Sequence, residues 1–183
     1  MCAAFARERF DELMAGKPVH PDICRSVMQA GAFSGAESVL QWFLERFKTT
    51  ASEHDRMNVL SALGCLPRRE LIERALDFVM AEVPGRIQFI PIAAMAANPA
   101  ALPMMWDWYR GCLGALEKFH PMLYERVIGA IVPVCGLGRE EEVQGFFKDY
   151  LEQNQKFRDV IRLSLEKLEI NRRLRNACSK AGD

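Results

Sequence analysis

The sequence predicts an all-α fold, an irregular α-solenoid of about ten helices stacked as antiparallel pairs, similar to HEAT or armadillo repeats. Apolar residues recur at helical spacing along the whole chain, and the cleanest example is Val143, Phe146, Phe147, Tyr150 and Leu151. Signals for β-strands are nearly absent, because no sustained two-residue alternation and no Asn-Gly or Asp-Gly turn occurs. Glycine and proline interrupt the helical stretches at short intervals, which indicates short loops.

The first half of the chain contains six predicted helices. Ser34 is a predicted N-cap, and Glu37 three residues later would complete a capping box. Ser52 is predicted to cap the following helix, which should end at Gly64. The predicted helices span 3–15, 23–30, Ser34 to about Phe47, Ser52 to Gly64, 68–82 and 87–97.

The chain turns a corner at Asn98-Pro99, because proline disfavours the α conformation in the residue before it. Beyond the corner we predict four further helices, at 102–118, from Pro121 to Val132, at 139–152 and from Phe157 to Asn176. Pro133 should end the second of these. The helices pair into five antiparallel hairpins without a strict sequence period, which favours a right-handed stack over a four-helix bundle.

Composition narrows the possible partners and the cellular location. The 183 residues fit one domain, 1–183, with 24 basic and 24 acidic side chains, so charge gives no reason to expect nucleic acid. No apolar run is long enough to span a membrane, and the N-terminus lacks the pattern of a signal peptide. The six cysteines form no CxxC pair, which favours reduced, mostly buried thiols in a cytoplasmic protein.

The sequence contains no recognisable catalytic, metal-binding or cofactor-binding constellation. His20, His54 and His120 are far apart, and a structural role at helix starts explains them better than catalysis. The segment 53–55, Glu-His-Asp, lacks the His-Glu-x-x-His spacing that holds zinc. The glycines of 136–138 belong to a turn between helices, since no strand precedes them. We therefore predict no catalytic, metal or cofactor residue in this chain.

Two segments are candidate binding surfaces. Trp106, Trp108 and Tyr109 could form an aromatic patch, but residues two apart point to different helix faces, so packing of at least one tryptophan is favoured. The basic tail could bind a phosphate or a carboxylate, although cations at a helix C-terminus need no ligand. The tail consists of Arg172, Arg173, Arg175 and Lys180.

The order of several motifs resembles a known family. These motifs are Asn98-Pro99, the Trp-Asp-Trp of 106–108, the Val-Gln-Gly-Phe-Phe of 143–147, and Ile161 followed by the Leu-Glu-Ile-Asn of 168–171. They resemble the C-terminal helical domain of zinc aminopeptidases of the aminopeptidase N type (peptidase family M1), as do segments 5–10, 21–22 and 71–76 upstream.

The chain departs from the family pattern at several positions. Ala101-Leu102 stand where Gly-Arg is usual, Gln88-Phe89 where Gln-Asp is usual, and Leu113 where a second tryptophan is usual. The family's zinc motif and its Gly-x-Met-Glu-Asn motif do not occur, since both belong to a preceding catalytic domain. The resemblance therefore implies a non-catalytic C-terminal part of a zinc aminopeptidase, with zinc held elsewhere in the polypeptide.

In that family the helical domain covers the active site and shapes and gates the cavity for peptide substrates. The resemblance thus implies two partners, the catalytic domain of the same polypeptide and peptide substrates. The alternative from another class is a stand-alone helical-repeat adaptor that binds a protein or peptide. We also predict that the flank facing the missing domains exposes apolar residues near the first helix, such as Phe5 and Phe10.

Overall fold

A computed structural model of this protein describes residues 2–181, with side chains for residues 4–179. Every regular element in the described part is helical, so the all-α prediction is confirmed. The chain forms two compact units that divide after Ala101.

The N-terminal unit contains six helices, and each packs on its neighbour or on the next helix but one. They are α1 (Cys2–Met14), α2 (Pro21–Ala32), α3 (Glu37–Thr49), α4 (Glu53–Leu63), α5 (Arg69–Glu82) and α6 (Phe89–Ala96). Helix α2 packs on α1, α3 and α4, while α4 also packs on α6 and α3 on α5. Contacts between every second helix are typical of stacked helix pairs, so the unit has the packing expected of a helical solenoid.

The C-terminal unit contains five α-helices and one 3-10 turn among the described residues. They are α7 (Leu102–Gly111), α8 (Leu113–Leu116), α9 (Pro121–Cys135), α10 (Glu140–Gln153), the turn Gln155–Phe157 and α11 (Arg158–Ala181). Helix α9 packs on both α7 and α11, and α10 packs on α11. The predicted apolar stripes face this core, since Val143, Phe147, Ile161 and Leu168 are buried.

Two close helix contacts in the N-terminal unit depend on glycine. The Phe10 ring lies on Gly31, where an added Cβ would be 2.4 Å from the ring. The backbone of α6 lies equally close to Gly64, where an added Cβ would be 2.3 Å from the Cβ of Ala94. Phe10 is therefore buried, and the prediction that it is exposed was wrong, whereas Phe5 is exposed as predicted.

The structure confirms some predicted helix ends and corrects others. Ser52 caps α4 as predicted, because its Oγ accepts from the Asp55 N–H at 3.2 Å. The prediction of a capping box at Ser34 was wrong, because Gly35 adopts a positive φ of 63° and α3 begins only after Ala36. Glu37 is therefore the first residue of the helix and has no N-cap side chain to pair with.

The predicted helices at 102–118 and at Pro121–Val132 both end elsewhere. The first breaks between Gly111 and Leu113, in a stretch where glycine lowers helix propensity. The second continues through Pro133 to Cys135. Near a helix C-terminus the proline removes only one hydrogen bond, and the Asn171 side chain donates to the Pro133 carbonyl at 2.9 Å.

Candidate functional site

The aromatic patch weighed at the sequence level belongs to the core of the C-terminal unit. Trp106 and Tyr109 are fully buried and stack with ring centroids 5.6 Å apart. Phe146 meets the edge of the Trp106 ring at 5.4 Å, and Trp108 is half-buried. The prediction that at least one tryptophan packs in the core is confirmed for Trp106. Because Trp106 is buried, it cannot stack on a ligand together with Trp108.

A charged network closes over this aromatic core. The Trp106 indole N–H donates to Glu142 at 3.1 Å, and Arg139 holds the same carboxylate with two bonds of 2.7 and 2.8 Å. Arg139 also binds Asp107 in bidentate fashion, at 2.7 and 2.8 Å. These arginine hydrogen bonds hold the pKa of both carboxyls below their ordinary values. The carboxylates therefore stay ionised, and the network fixes α7 against the start of α10.

Three tyrosines form a hydrogen-bonded chain in the same unit. The Tyr109 and Tyr124 hydroxyls lie 2.8 Å apart, and Tyr124 donates to Tyr150 at 3.5 Å. Burial raises the pKa of all three phenols. The hydroxyls therefore remain protonated at neutral pH and satisfy one another inside the core. They are not poised as general bases.

The basic tail is already paired with carboxylates of its own chain. Arg172 and Arg173 both donate to Glu169, at 2.7 and 2.8 Å, and Arg175 lies 3.6 Å from Glu140. Arg172, Arg173 and Arg175 therefore pair with carboxylates of the same unit, on α11 and α10. The side chain of Lys180 lies outside the described residues.

The arrangement best suited to contact a ligand is a polar pocket in the N-terminal unit, here called the Asp55 pocket. It has a volume of about 410 Å³ and is lined by residues of the α1–α2 loop and of α2, α3 and α4. The residues that decide its chemistry are Lys17, Cys24, Arg46, His54, Asp55 and Asn58.

A partly buried ion pair lines the Asp55 pocket. Arg46 donates to the Asp55 carboxylate at 2.7 Å, and its guanidinium also lies over the Trp42 ring at 5.3 Å. Asn58 is buried beside this pair. Burial, together with the Asp55 carboxylate, raises the pKa of the Cys24 thiol, so the thiol stays protonated and is a weak nucleophile. The pocket can accept polar groups of a ligand, but it contains no activated nucleophile.

The sequence does not predict this pocket, because its residues are distant along the chain. A signal was present in α4, where Asp55 and Asn58 share the buried face with Val59 and Ala62. Polar residues on an apolar stripe often mark a buried polar site. His54, for which the sequence favours a structural role, lines this pocket.

The histidines and cysteines form no metal site in the described part of the chain. His20 is the N-cap of α2, where its Nδ1 accepts from the Asp22 N–H at 3.3 Å, while His120 precedes α9. No group of three or more histidine, cysteine or acidic residues with metal-binding geometry occurs among the described residues. None of the cysteines described there forms a disulfide; Cys24 and Cys135 are buried, and the side chain of Cys2 is not described.

Comparison with known proteins identifies one family. The family profile described as the ERAP1-like C-terminal domain matches residues 1–170. A search of curated proteins finds no match. The match covers both units and confirms the resemblance inferred from the motif order. In the described residues, no helix combines the length and the apolar character that crossing a membrane requires.

Proposed function

Because this chain belongs to the family of ERAP1-like C-terminal domains, which are non-catalytic domains of aminopeptidases, we propose that it covers the active site of a zinc aminopeptidase. In this proposal residues 1–183 act as one helical-repeat domain that shapes and gates the cavity for peptide substrates. The observation that carries the proposal is the length of the match, which leaves only residues 171–183 outside it. The zinc ion belongs to a preceding catalytic domain of the same polypeptide.

The Asp55 pocket supports the gating role. Stacked helix pairs present long surfaces for extended ligands, and a polar pocket in such a surface can hold the backbone or a charged end of a peptide. The Lys17 side chain is 64% exposed and lines the pocket together with the partly buried Arg46–Asp55 pair. We assign to this pocket contact with a part of the peptide remote from the scissile bond.

The first experiment tests whether chemistry lies outside this chain. The 183-residue chain is purified, analysed for metal, and assayed with aminoacyl fluorogenic amides. The proposal expects no stoichiometric zinc and no hydrolysis. One tightly bound zinc ion per chain, together with release of the fluorophore, would overturn it.

The second experiment tests gating in the polypeptide that carries the catalytic domain. The variant Lys17→Glu reverses a charge at the mouth of the pocket, and Lys118→Glu makes the same change at an exposed site in the other unit. We expect Lys17→Glu to change the KM for peptides of about nine residues, with aminoacyl amides unaffected because they are too short to reach the pocket. Equal effects of the two variants on both substrates would contradict a role of the pocket in peptide binding.

The alternative function is a stand-alone adaptor that binds a protein or a peptide. The reading frame upstream of Met1 separates the two proposals. A zinc peptidase domain with the His-Glu-x-x-His motif supports the first, and a start codon with no peptidase gene nearby supports the second. A cytoplasmic location is part of the proposal, supported by cysteines that form no disulfide in the described residues.

A further inference from the structure

Helix α11 carries a second apolar face, whose large side chains remain about half exposed. Leu163, Ile170 and Leu174 are 49%, 55% and 59% exposed, although all three are large aliphatic side chains. At 3.6 residues per turn they lie within an arc of about 40°, on the side of the helix roughly opposite the buried Ile161 and Leu168. An exposed apolar stripe on a long helix marks an interaction surface.

The spacing of this stripe is that of a coiled-coil seam. Leu163, Lys167, Ile170, Leu174 and Ala177 alternate four and three residues apart, which is the d–a–d–a–d pattern of a heptad repeat. Lys167 is the only charged residue among them, and its aliphatic stem can cover apolar surface while its ammonium group reaches water. A single lysine at an a position specifies the register and the oligomer state of a coiled coil, at a cost in stability.

The charges beside the seam are self-complementary when the partner runs antiparallel. Glu166 and Arg173 occupy equivalent flanking positions, one heptad apart. If Leu163 of one helix packs on Leu174 of an antiparallel copy, then Glu166 of each chain faces Arg173 of the other, so the contact forms twice by symmetry. A parallel pairing brings Glu166 near Asn171 instead and gains no ion pair.

Both charged groups are available for this contact. Glu166 makes no ion pair with another described residue, and Arg173 is 74% exposed. Its bond to Glu169 uses Nε, which leaves the terminal guanidinium nitrogens free to bond a second carboxylate. An apolar groove of about 790 Å³ also borders this flank, with Glu166, Ile170 and Arg173 among its lining residues.

We propose that the outer face of α11 is an isologous interface, on which a second copy of this chain packs its own α11 in antiparallel orientation. Charge self-complementarity selects a second copy over an unrelated helix, because the same two positions supply both halves of the ion pair. Leu163, Glu166 and Ile170 lie within the residues that the family profile matches, and Arg173 and Leu174 lie beyond them. The interface is argued from the exposure and the charges of α11, so it does not depend on the proposed aminopeptidase role.

The first test measures self-association of the reduced chain by sedimentation velocity between about 1 and 200 µM. Because the seam has few layers, we expect a reversible dimer with a dissociation constant on the order of micromolar. A chain that remains monomeric at the highest concentration would overturn the proposal.

The second test uses charge reversal to identify the interface. Glu166→Arg alone places like charges opposite one another, and Arg173→Glu alone does the same with the opposite sign. Each variant should dimerise about tenfold more weakly than the native chain, with unchanged helicity. An equimolar mixture of the two variants restores both ion pairs and should form a heterodimer with near-native affinity.

The control is Glu125→Arg, a charge reversal on the exposed surface of α9, which should leave the dissociation constant unchanged. Recovery in the mixture is a result that no other interface of the chain can produce, because only the antiparallel α11 pair brings these two positions together. Failure of the mixture to recover, or equal weakening by the control, would overturn the assignment.

Discussion

Replacing Gly64 by alanine tests the close packing of α4 on α6. Gly64 has a φ of −66°, an ordinary helical value, so the backbone itself accepts an alanine without strain. The obstacle is packing, because the added Cβ would be 2.3 Å from the Cβ of Ala94 and 3.0 Å from its carbonyl carbon. Neither atom belongs to a flexible side chain, so one helix must move away from the other.

The magnitude follows from two opposing effects. Forcing an extra carbon into a packed interior costs about 1–3 kcal/mol. Exchanging glycine for alanine at a helical position returns at most about 1 kcal/mol. We therefore expect Gly64→Ala to lower the free energy of unfolding by about 1–2 kcal/mol, which lowers the Tm of a chain of this size by roughly 2–8 °C.

Gly145→Ala is the matched control. Gly145 lies within α10, and an added Cβ there has no neighbour within 4 Å. The same substitution should therefore raise the free energy of unfolding by up to about 1 kcal/mol. Opposite signs for the two variants, measured by urea unfolding followed by circular dichroism, would separate packing from helix propensity.

A double mutant locates the conflict. Adding Ala94→Gly to the Gly64→Ala chain removes the nearest contact, although the Cα and carbonyl carbon of residue 94 remain 3.1 and 3.0 Å from the new Cβ. The double mutant should recover part of the loss, with a coupling energy of at least about 0.5 kcal/mol. If Gly64→Ala proves as stable as the native chain, the close contact between these helices is wrong.

Three further predictions concern single side chains. Asn98→Ala should lower the free energy of unfolding by about 2 kcal/mol, measured in urea, because the Asn98 side-chain amide donates to the Leu66 carbonyl at 2.7 Å and its side-chain oxygen accepts from the Ala100 N–H. A loss below about 0.5 kcal/mol would contradict this. Glu169 has a pKa lowered to about 2 by two arginines, so its contribution to stability should be present above about pH 4.5 and disappear as the pH falls towards 2; an NMR titration of its carboxyl near 4.5 would refute it. Cys178 should react with a thiol reagent at pH 8, whereas burial raises the pKa of Cys135 to about 12 and should leave it unreactive in the native chain.

The apolar periodicity of the sequence was sufficient to predict the helices and most of the core. Phe43, Phe147 and Leu168 lie on apolar stripes at helical spacing, and each is buried where the stripe predicts. This prediction succeeds because one-sided burial is the main source of helix stability in proteins, and burial on one side imposes the period.

The errors have specific physical causes. The sequence already argues against exposing both Phe5 and Phe10 on one face. They are five residues apart, so they point about 140° away from each other on a helix. The contact of the Phe10 ring with Gly31 could not have been predicted, because it depends on how closely α1 and α2 approach each other. The capping box at Ser34 failed for a similar reason: the positive φ at Gly35 delays the start of α3, and no local pattern distinguishes that turn from a cap.

The Asp55 pocket illustrates what periodicity cannot supply. Arg46 and Asp55 pair across two helices, and Cys24 comes from a third, so the site exists only through packing. Within α4, however, the inward position of Asp55 was visible as an acidic residue on a buried face. A charged residue on such a face requires a partner, because an unpaired buried charge is costly. That requirement applies to Asp55, but nothing in the sequence of α4 indicates Arg46 as its partner.

On helix α11 the same difference between sequence and packing concerns an exposed surface. Its sequence contains two apolar faces, one through Ile161 and Leu168 and one through Leu163, Ile170 and Leu174, and only the structure shows which face the rest of the chain covers. In stacked helical arrays each helix buries one face inward, so an apolar face left outside is available for contact with another chain. The pairing of Glu166 with Arg173 then becomes informative, because it distinguishes a partner of identical sequence from any other helix. Apolar residues at helical spacing that the structure leaves exposed therefore mark such a surface. The charges beside them show whether a second copy of the chain can pair with it.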